Sequence, residues 1–189
     1  MSDTVHLVDC TLREGDQTAG VAMTVDEKLQ IAEMLDAAGV PLADAGMPAV
    51  NPSEAQFLRE AARRCSSMTV GASVRCRPDM ARLALDCGVG AVFVICPVSE
   101  HHLSARLGMT LGHLLESLQA VAEIIRGHAT IEVVAEDATR ASESALLALA
   151  DTARSAGADR LYLADTVGMK SPRQWGDLVS KMLVAAGDG

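Results

Sequence analysis

The ionisable residues of this chain gather just after short apolar runs. Asp9-Cys10-Thr11-Leu12-Arg13-Glu14-Gly15-Asp16-Gln17 follows the first run, Asp44 closes the second, and Arg75 closes the third. Glu136-Asp137-Ala138-Thr139-Arg140 and Asp165-Thr166-Val167-Gly168 follow the last two. Carboxylates abutting a buried run, with guanidiniums nearby, are groups whose protonation and orientation a fold can control. Such groups cluster at functional sites, although structural ion-pair networks look similar. This mixture suits a hard divalent cation and an anionic substrate. Asp9 can supply an oxygen ligand, and Arg13 a planar fork for a carboxylate or for charge developing on an enolate oxygen. An isolated Asp9 would more simply pair with Arg13, and polar loops are commonly solvated; the repetition on one rim favours a shared site.

The elements that must position these residues are legible from periodicity. Apolar runs at His6 to Val8, Leu42 to Ala45, Thr69 to Val74, Ala91 to Cys96, Ile131 to Ala135 and Leu161 to Ala164 are nearly continuous. Parallel strands covered on both faces read this way. Helix starts are marked by Thr24 and Asn51, each with Glu three residues on, and by Ser171-Pro172; helix stops are marked by Gly39, Gly88, Gly157 and Gly187. Six strand-helix units result, against the eight, in about 250 residues, of a closed barrel. The expected fold is α/β, a TIM (β/α)8-type barrel truncated after about six units, with residues 1–189 forming a partial catalytic domain of strands one to six. An open, doubly wound six-strand sheet is the competing architecture, but no G-x-G-x-x-G or G-x-x-x-x-G-K follows any strand.

Composition narrows the function. With 49% hydrophobic residues in 189, the chain can bury a substantial core, and a formal net charge of −9 argues against a nucleic-acid backbone as partner. Phe57, Phe93, Tyr162 and Trp175 are the only aromatics, too few for stacking platforms. No apolar run approaches the roughly 20 residues of a membrane-spanning helix, and the N-terminus carries no basic-then-apolar leader. Five cysteines without a C-x-x-C pair suit a reducing compartment, so a soluble, cytoplasmic protein is expected.

Asp9 to Gln17 resembles the D-x-T-L-R-[DE]-G-x-Q signature of the DRE-TIM metallolyase superfamily, which includes the 2-isopropylmalate, citramalate and homocitrate synthases and the hydroxymethylglutaryl-CoA lyases. Asp44-Ala45-Gly46-Met47-Pro48 is similar to its E-A-G-[FI]-P segment. Pro97-Val98-Ser99 with His102 is similar to P-x-S-x-x-H, Glu136 to Arg140 to E-D-A-[ST]-R, and Asp165 to Gly168 to D-T-V-G. Residues 18–22 and 45–49 look most like nitrogenase-type homocitrate synthases.

The resemblance implies a metal-dependent Claisen condensation of acetyl-CoA with a 2-oxo acid. By position, Asp9 would ligate a divalent metal (Mg2+, Mn2+ or Zn2+), Arg13 would stabilise the oxyanion, and Glu14 would orient Arg13 or take part in proton transfer. Glu136 would act near the acetyl-CoA end. Gln17, Asp44, Arg75 and Thr166 would bind substrate, Thr166 through the 2-oxo acid carboxylate.

There are departures from the family pattern. The family's H-x-H-N-D metal sequence of strand seven is absent, and His6, His101, His102, His113 and His128 contain no H-x-H; His102 is expected on a loop, His113 and His128 at surface or helix-end positions. Asp44 stands where the family has Glu, Ser73 where lysine-pathway homocitrate synthases have His, and Glu132 where they have Arg. A carbon-carbon lyase of the same superfamily and a non-catalytic truncated barrel are the alternatives. A homo-oligomer, or a complementary subunit supplying strands seven and eight, is the expected partner.

Overall fold

The structure, a computed structural model, describes residues 5–186. Among them strands and helices alternate: β1 (Val8–Asp9), α1 (Val25–Ala37), β2 (Leu42–Asp44), α2 (Pro52–Arg64), β3 (Thr69–Arg75), α3 (Pro78–Leu85), β4 (Ala91–Pro97), α4 (Leu111–Ile125), β5 (Thr130–Glu136), α5 (Glu143–Ser155), β6 (Arg160–Leu163) and α6 (Pro172–Ala186). Every strand pairs in parallel with its chain neighbours, giving the order β1-β2-β3-β4-β5-β6. Consecutive order is that of a (β/α)8 barrel, whereas a doubly wound sheet reverses direction at a switch point. The sheet curls: His6 and Val8 at one end of it and Thr130 and Arg160 at the other line the same cavity of about 120 Å³. The fold is six units of such a barrel.

Local chemistry sets the helix boundaries. Thr24 and Glu27 cap α1 reciprocally, the Thr24 hydroxyl accepting from the Glu27 amide and the Glu27 carboxylate accepting from the Thr24 amide. Ser171 and Gln174 do the same for α6. Gly39, Gly88 and Gly157 take φ of +80°, +72° and +76° after α1, α3 and α5, the left-handed conformation that closes a helix. The expected stop at Gly187 lies outside the described residues. β1 sits later than expected, at Val8–Asp9 rather than from His6, because the ladder to Leu42 and Ala43 begins only there.

The sheet has two unlike faces. Toward the helices point Val70, Ala72, Val74, Val92, Val94, Cys96, Val133 and Ala135, packed with Leu58, Leu114, Leu118, Ile125, Leu146 and Leu149. The inner face carries Leu42, Ala91 and Phe93, with Val8, Val134 and Tyr162 against them. Aromatic rings are scarce, so the one on β4 dictates its surroundings. A Cβ at Gly71 would sit 2.5 Å from Phe93 Cε2, which leaves only glycine beside that ring. Tyr162 meets the ring on its other side, with centroids 5.7 Å apart.

Asn51 accepts from the Glu54 amide at 2.8 Å as its cap position predicts, but the Glu54 carboxylate does not return the contact. It turns instead to Lys28 of α1, whose Nζ lies 2.9 Å from both of its oxygens and 3.2 Å from Asp16 Oδ2. Lys28 is 2% exposed and its ammonium lies 4.7 Å from the centre of the Phe57 ring. One buried cation thus ties the loop after β1 to α1 and α2. Removing one member of such a buried set leaves the others uncompensated, so Lys28→Ala is expected to destabilise the fold by about 3 kcal/mol in urea unfolding; a loss below about 1 kcal/mol would show that water replaces the ammonium.

Candidate active site

After Asp9 the chain enters a wide helical turn, Thr11–Gly15, in which the Gly15 and Asp16 amides reach back to the Cys10 and Thr11 carbonyls at 3.3 and 3.2 Å. Fully buried Leu12 anchors this turn, a contribution of about 2 kcal/mol. The anchor faces Arg13 away from the core toward β2. Arg13 Nε donates to Asp44 Oδ2 at 2.5 Å, and its Nη1 pairs with Glu14 Oε1. Ser73 of β3 donates to the same Asp44 oxygen at 2.8 Å.

Asp44 is 1% exposed, and its other oxygen, Oδ1, is buried without a hydrogen-bond partner. Burial pushes its carboxyl above the ordinary range, while Arg13 and Ser73 oppose the rise. Burial alone would favour loss of the Arg13 proton, but Asp44 and Glu14 hold the guanidinium charged. The Cys10 thiol beside them is pushed up, first by burial and then by Asp44, and remains a thiol. The arrangement is a cation locked in orientation on a strand-end rim, with an unsatisfied acceptor behind it.

A second cluster joins the ends of β4 and β5. Asp137 is fully buried and takes φ of +61°, the one non-glycine residue with positive φ among the described residues. That conformation is tolerated by Asp better than by most side chains. It is fixed by Arg140 Nε, 2.8 and 2.9 Å from the two carboxylate oxygens, and by Ser99 Oγ, donating to Oδ2 at 2.5 Å. Burial would raise the Asp137 carboxyl, yet the hydrogen bonds from Arg140 and Ser99 and the Arg140 charge hold it below the usual range. Next to it, Glu136 Oε1 accepts from Arg106 Nη1 at 3.1 Å.

The structure thus brings Arg13, Glu14 and Asp44 into contact, and places Glu136 in a separate group with Arg106. Thr166 Oγ1 lies 3.5 Å from Asp137 Oδ1, and the residue is exposed. Arg75 ends β3 on the face that carries Ser73, by strand alternation. Neither Arg75 nor Gln17 has a side-chain hydrogen bond or ion pair to another described residue. Asp9 does not pair with Arg13: its oxygens accept from the Thr11 amide and hydroxyl at 2.9 and 3.0 Å. Glu132, fully buried, is closed inside the barrel by Thr130 and Arg160, both at 2.8 Å, and by Tyr162 at 2.9 Å.

Two expectations change. His102 lies in a helical turn, His101–Leu107, rather than on an open loop, because its amide is held by Ser99 Oγ at 3.3 Å. Ser73, which in the sequence is only a substitution, is a working hydrogen-bond donor to Asp44. The Ser99-to-His102 spacing was a signal that could have flagged the first; nothing local to Ser73 points to Asp44. His113 and His128 are exposed at the first turn of α4 and just beyond its end, as expected.

For the divalent cation that the resemblance implies, the donor set is thin. Among the described residues no three His, Cys, Asp or Glu side chains converge. Both Asp9 oxygens already accept from Thr11, and Asp44 is committed to Arg13 and Ser73. With no converging donor set and with the Asp9 oxygens and Asp44 Oδ2 already hydrogen-bonded, these residues offer at most one or two donors and do not by themselves make such a site.

With this geometry established, comparison with known proteins places the chain. Residues 4–186 match the HMGL-like family, and the chain belongs to it. It is 34% identical to 2-isopropylmalate synthase of Sulfolobus acidocaldarius over 99% of this chain and 49% of the relative. It is 36% identical to homocitrate synthase AksA of Methanopyrus kandleri over 96% of this chain and 46% of the relative. The chain therefore spans about half the length of these curated relatives. In fold it is similar to an HMG-CoA lyase from Acinetobacter baumannii solved with coenzyme A and 3-methylmalate, with a TM-score of 0.82, 19% identity, and coverage of 98% of this chain and 64% of the lyase. Among the described residues no helix is long and apolar enough to cross a membrane.

Asp137 has a testable acid signature. Its folded carboxyl titrates below the ordinary 3.8, so its contribution to stability is present above that pH and is lost as pH falls through the lower folded value. Asp137→Asn is therefore expected to flatten the decline in urea midpoint below pH 4; an unchanged slope would assign the decline to other carboxylates.

Proposed function

We propose that this chain carries the 2-oxo acid half of an acyltransferase that condenses an acetyl thioester with that acid, in the manner of a homocitrate synthase. The observation that carries the reading is Arg13, a guanidinium locked by a buried carboxylate at the mouth of the barrel. The base, assigned to Glu136, takes a proton from the acetyl-CoA methyl group. The resulting carbanion attacks C2 of the 2-oxo acid, the C2 carbonyl electrons pass to oxygen, and Arg13 faces the alkoxide as its charge grows. Preorganised charge of this kind costs no reorganisation during the reaction. The alkoxide is then protonated, and water cleaves the thioester to release CoA thiol and a hydroxy acid with one carboxylate more than the 2-oxo acid, a hydroxy-triacid where that acid is 2-oxoglutarate. Thr166 and Gln17 would hold the 2-oxo acid's carboxylate end, with Asp44 and Glu14 orienting Arg13. A divalent cation would supply Lewis acidity, with Asp9 as the donor offered here. No step is assigned to it from these residues.

Two observations sharpen the substrate and direction. Arg75 stands on the inner rim without an anionic partner among the described residues, which supports a second carboxylate on the substrate and so 2-oxoglutarate over pyruvate or 2-oxoisovalerate. Condensation is favoured over cleavage because the synthases share 34 and 36% of residues with this chain, whereas the lyase shares 19% and supports the fold alone.

The test is CoA-thiol release from acetyl-CoA by the full-length protein with Mg2+ or Mn2+ and each 2-oxo acid in turn. No turnover with any of the three acids overturns the reading. Arg13→Lys keeps a cation for Asp44 but loses the planar fork, and should lower kcat/KM by about 10²-fold with the unfolding midpoint little changed. Arg75→Gln should raise KM for 2-oxoglutarate about tenfold, a cost of about 1.4 kcal/mol, and leave pyruvate kinetics unaltered; equal effects on both acids would remove the second-carboxylate assignment.

A further inference from the structure

Among the described residues the carboxylate of Glu136, the proton acceptor in the reading above, has one side-chain hydrogen-bond partner, and that partner is exposed. Arg106 Nη1 lies 3.1 Å from Oε1, but its side chain is 57% exposed on a helical turn, and an anionic ligand at the mouth would compete for it. On the protein side of the same oxygen lies His102, whose side chain is 15% exposed. Its Nδ1 is buried without a hydrogen-bond partner and stands 3.8 Å from Glu136 Oε1, while Nε2 stands 4.0 Å from Asp137 Oδ2. A ring nitrogen buried without a partner is costly to leave unsatisfied. The gap exceeds the 2.7–3.2 Å of an N–H···O bond, so the bond forms only when the Glu136 carboxylate moves toward the ring. Hydrogen bonds at reacting groups are commonly long in ligand-free sites and tighten in the complex.

His102 is the better anchored of Glu136's two neighbours, through its main chain and the burial of its ring. The His102 amide donates to Ser99 Oγ at 3.3 Å, and the same hydroxyl donates to Asp137 at 2.5 Å. Asp137 is held in turn by Arg140. Through these bonds the His102 backbone is tethered to the residue that follows Glu136 in the chain, so the half-buried ring is carried on the same frame across β4 and β5 as the carboxylate.

We propose that His102 is the positioning residue for Glu136: Nδ1–H donates to Oε1 when a substrate anion draws Arg106 away, leaving Oε2 to face the methyl group. This rests on the condensation reading, in which Glu136 is the base. His102 exchanges no proton with substrate; it replaces an exposed partner with a largely buried one at the moment the site fills.

Three variants separate positioning from packing, because an Asn amide nitrogen reproduces the place of Nδ1 and a Gln amide nitrogen that of Nε2. His102→Asn should keep kcat within about fivefold of the parent protein, whereas His102→Gln and His102→Ala should lose about 10²-fold in kcat with KM for the 2-oxo acid unchanged. Equal losses in all three, or losses that track the unfolding midpoint, overturn the proposal. A second measurement needs no turnover. In imidazole ¹⁵N spectra of the full chain, Arg106→Gln should move the His102 Nδ1 signal toward its hydrogen-bonded position, and adding Glu136→Gln should reverse it. A His102 signal indifferent to both substitutions overturns the proposal. Should the parent protein turn over none of the acids, the condensation reading fails and the spectra alone decide whether His102 holds Glu136.

Discussion

A carboxylate buried at the end of β2 is costly, and the site is organised around offsetting that cost. Asp44 is 1% exposed and becomes tolerable through Arg13 and Ser73, one from the turn after β1 and one from β3. Three consecutive strands must therefore hold their register for the pair to form, with Val8 opposite Leu42 and Asp44 opposite Gly71. The pairing also runs the other way. A guanidinium fixed by a buried acid has little freedom left, so Arg13 keeps one orientation on the rim. The other Asp44 oxygen, Oδ1, stays buried without a hydrogen-bond partner among the described residues.

The rest of the rim repeats this logic. Asp137 is fully buried and strained, and is made tolerable by Arg140 and Ser99. Lys28 is a buried cation made tolerable by Asp16 and Glu54. In each case a charge is taken out of water, where it would be cheap, and held by two partners from different elements. Such sets contribute little net stability but strongly penalise wrong arrangements. They hold the loops of the rim to the rigid barrel, where a positioned charge can act on a ligand.

The sequence carried much of the architecture because the signals for it are local. Thr24 with Glu27, Pro52 after Asn51, and the glycines at 39, 88 and 157 act within a few residues of themselves, and the structure uses each as a boundary. Strand positions moved by one or two residues, where pairing rather than hydrophobicity sets the end. Glu54 shows where local reading stops. Its spacing to Asn51 suggests a reciprocal cap, but a buried ammonium 26 residues away binds its carboxylate more strongly.

For the site the division is sharper. Residue types and their spacing determined that an acid-and-guanidinium rim follows the strands, and motifs spread along the chain pointed to the family it belongs to. Only the tertiary structure decided the partners: that Arg13 binds Asp44 and not Asp9, that Ser73 shares that carboxylate, that Glu132 is closed into an internal network, and that His102 stands beside Glu136. Each of these depends on which side chains adjacent strands bring to one face. Periodicity settles the face, but register and the curl of the sheet settle the distance, and hydrogen bonds and ion pairs are decided by tenths of an ångström.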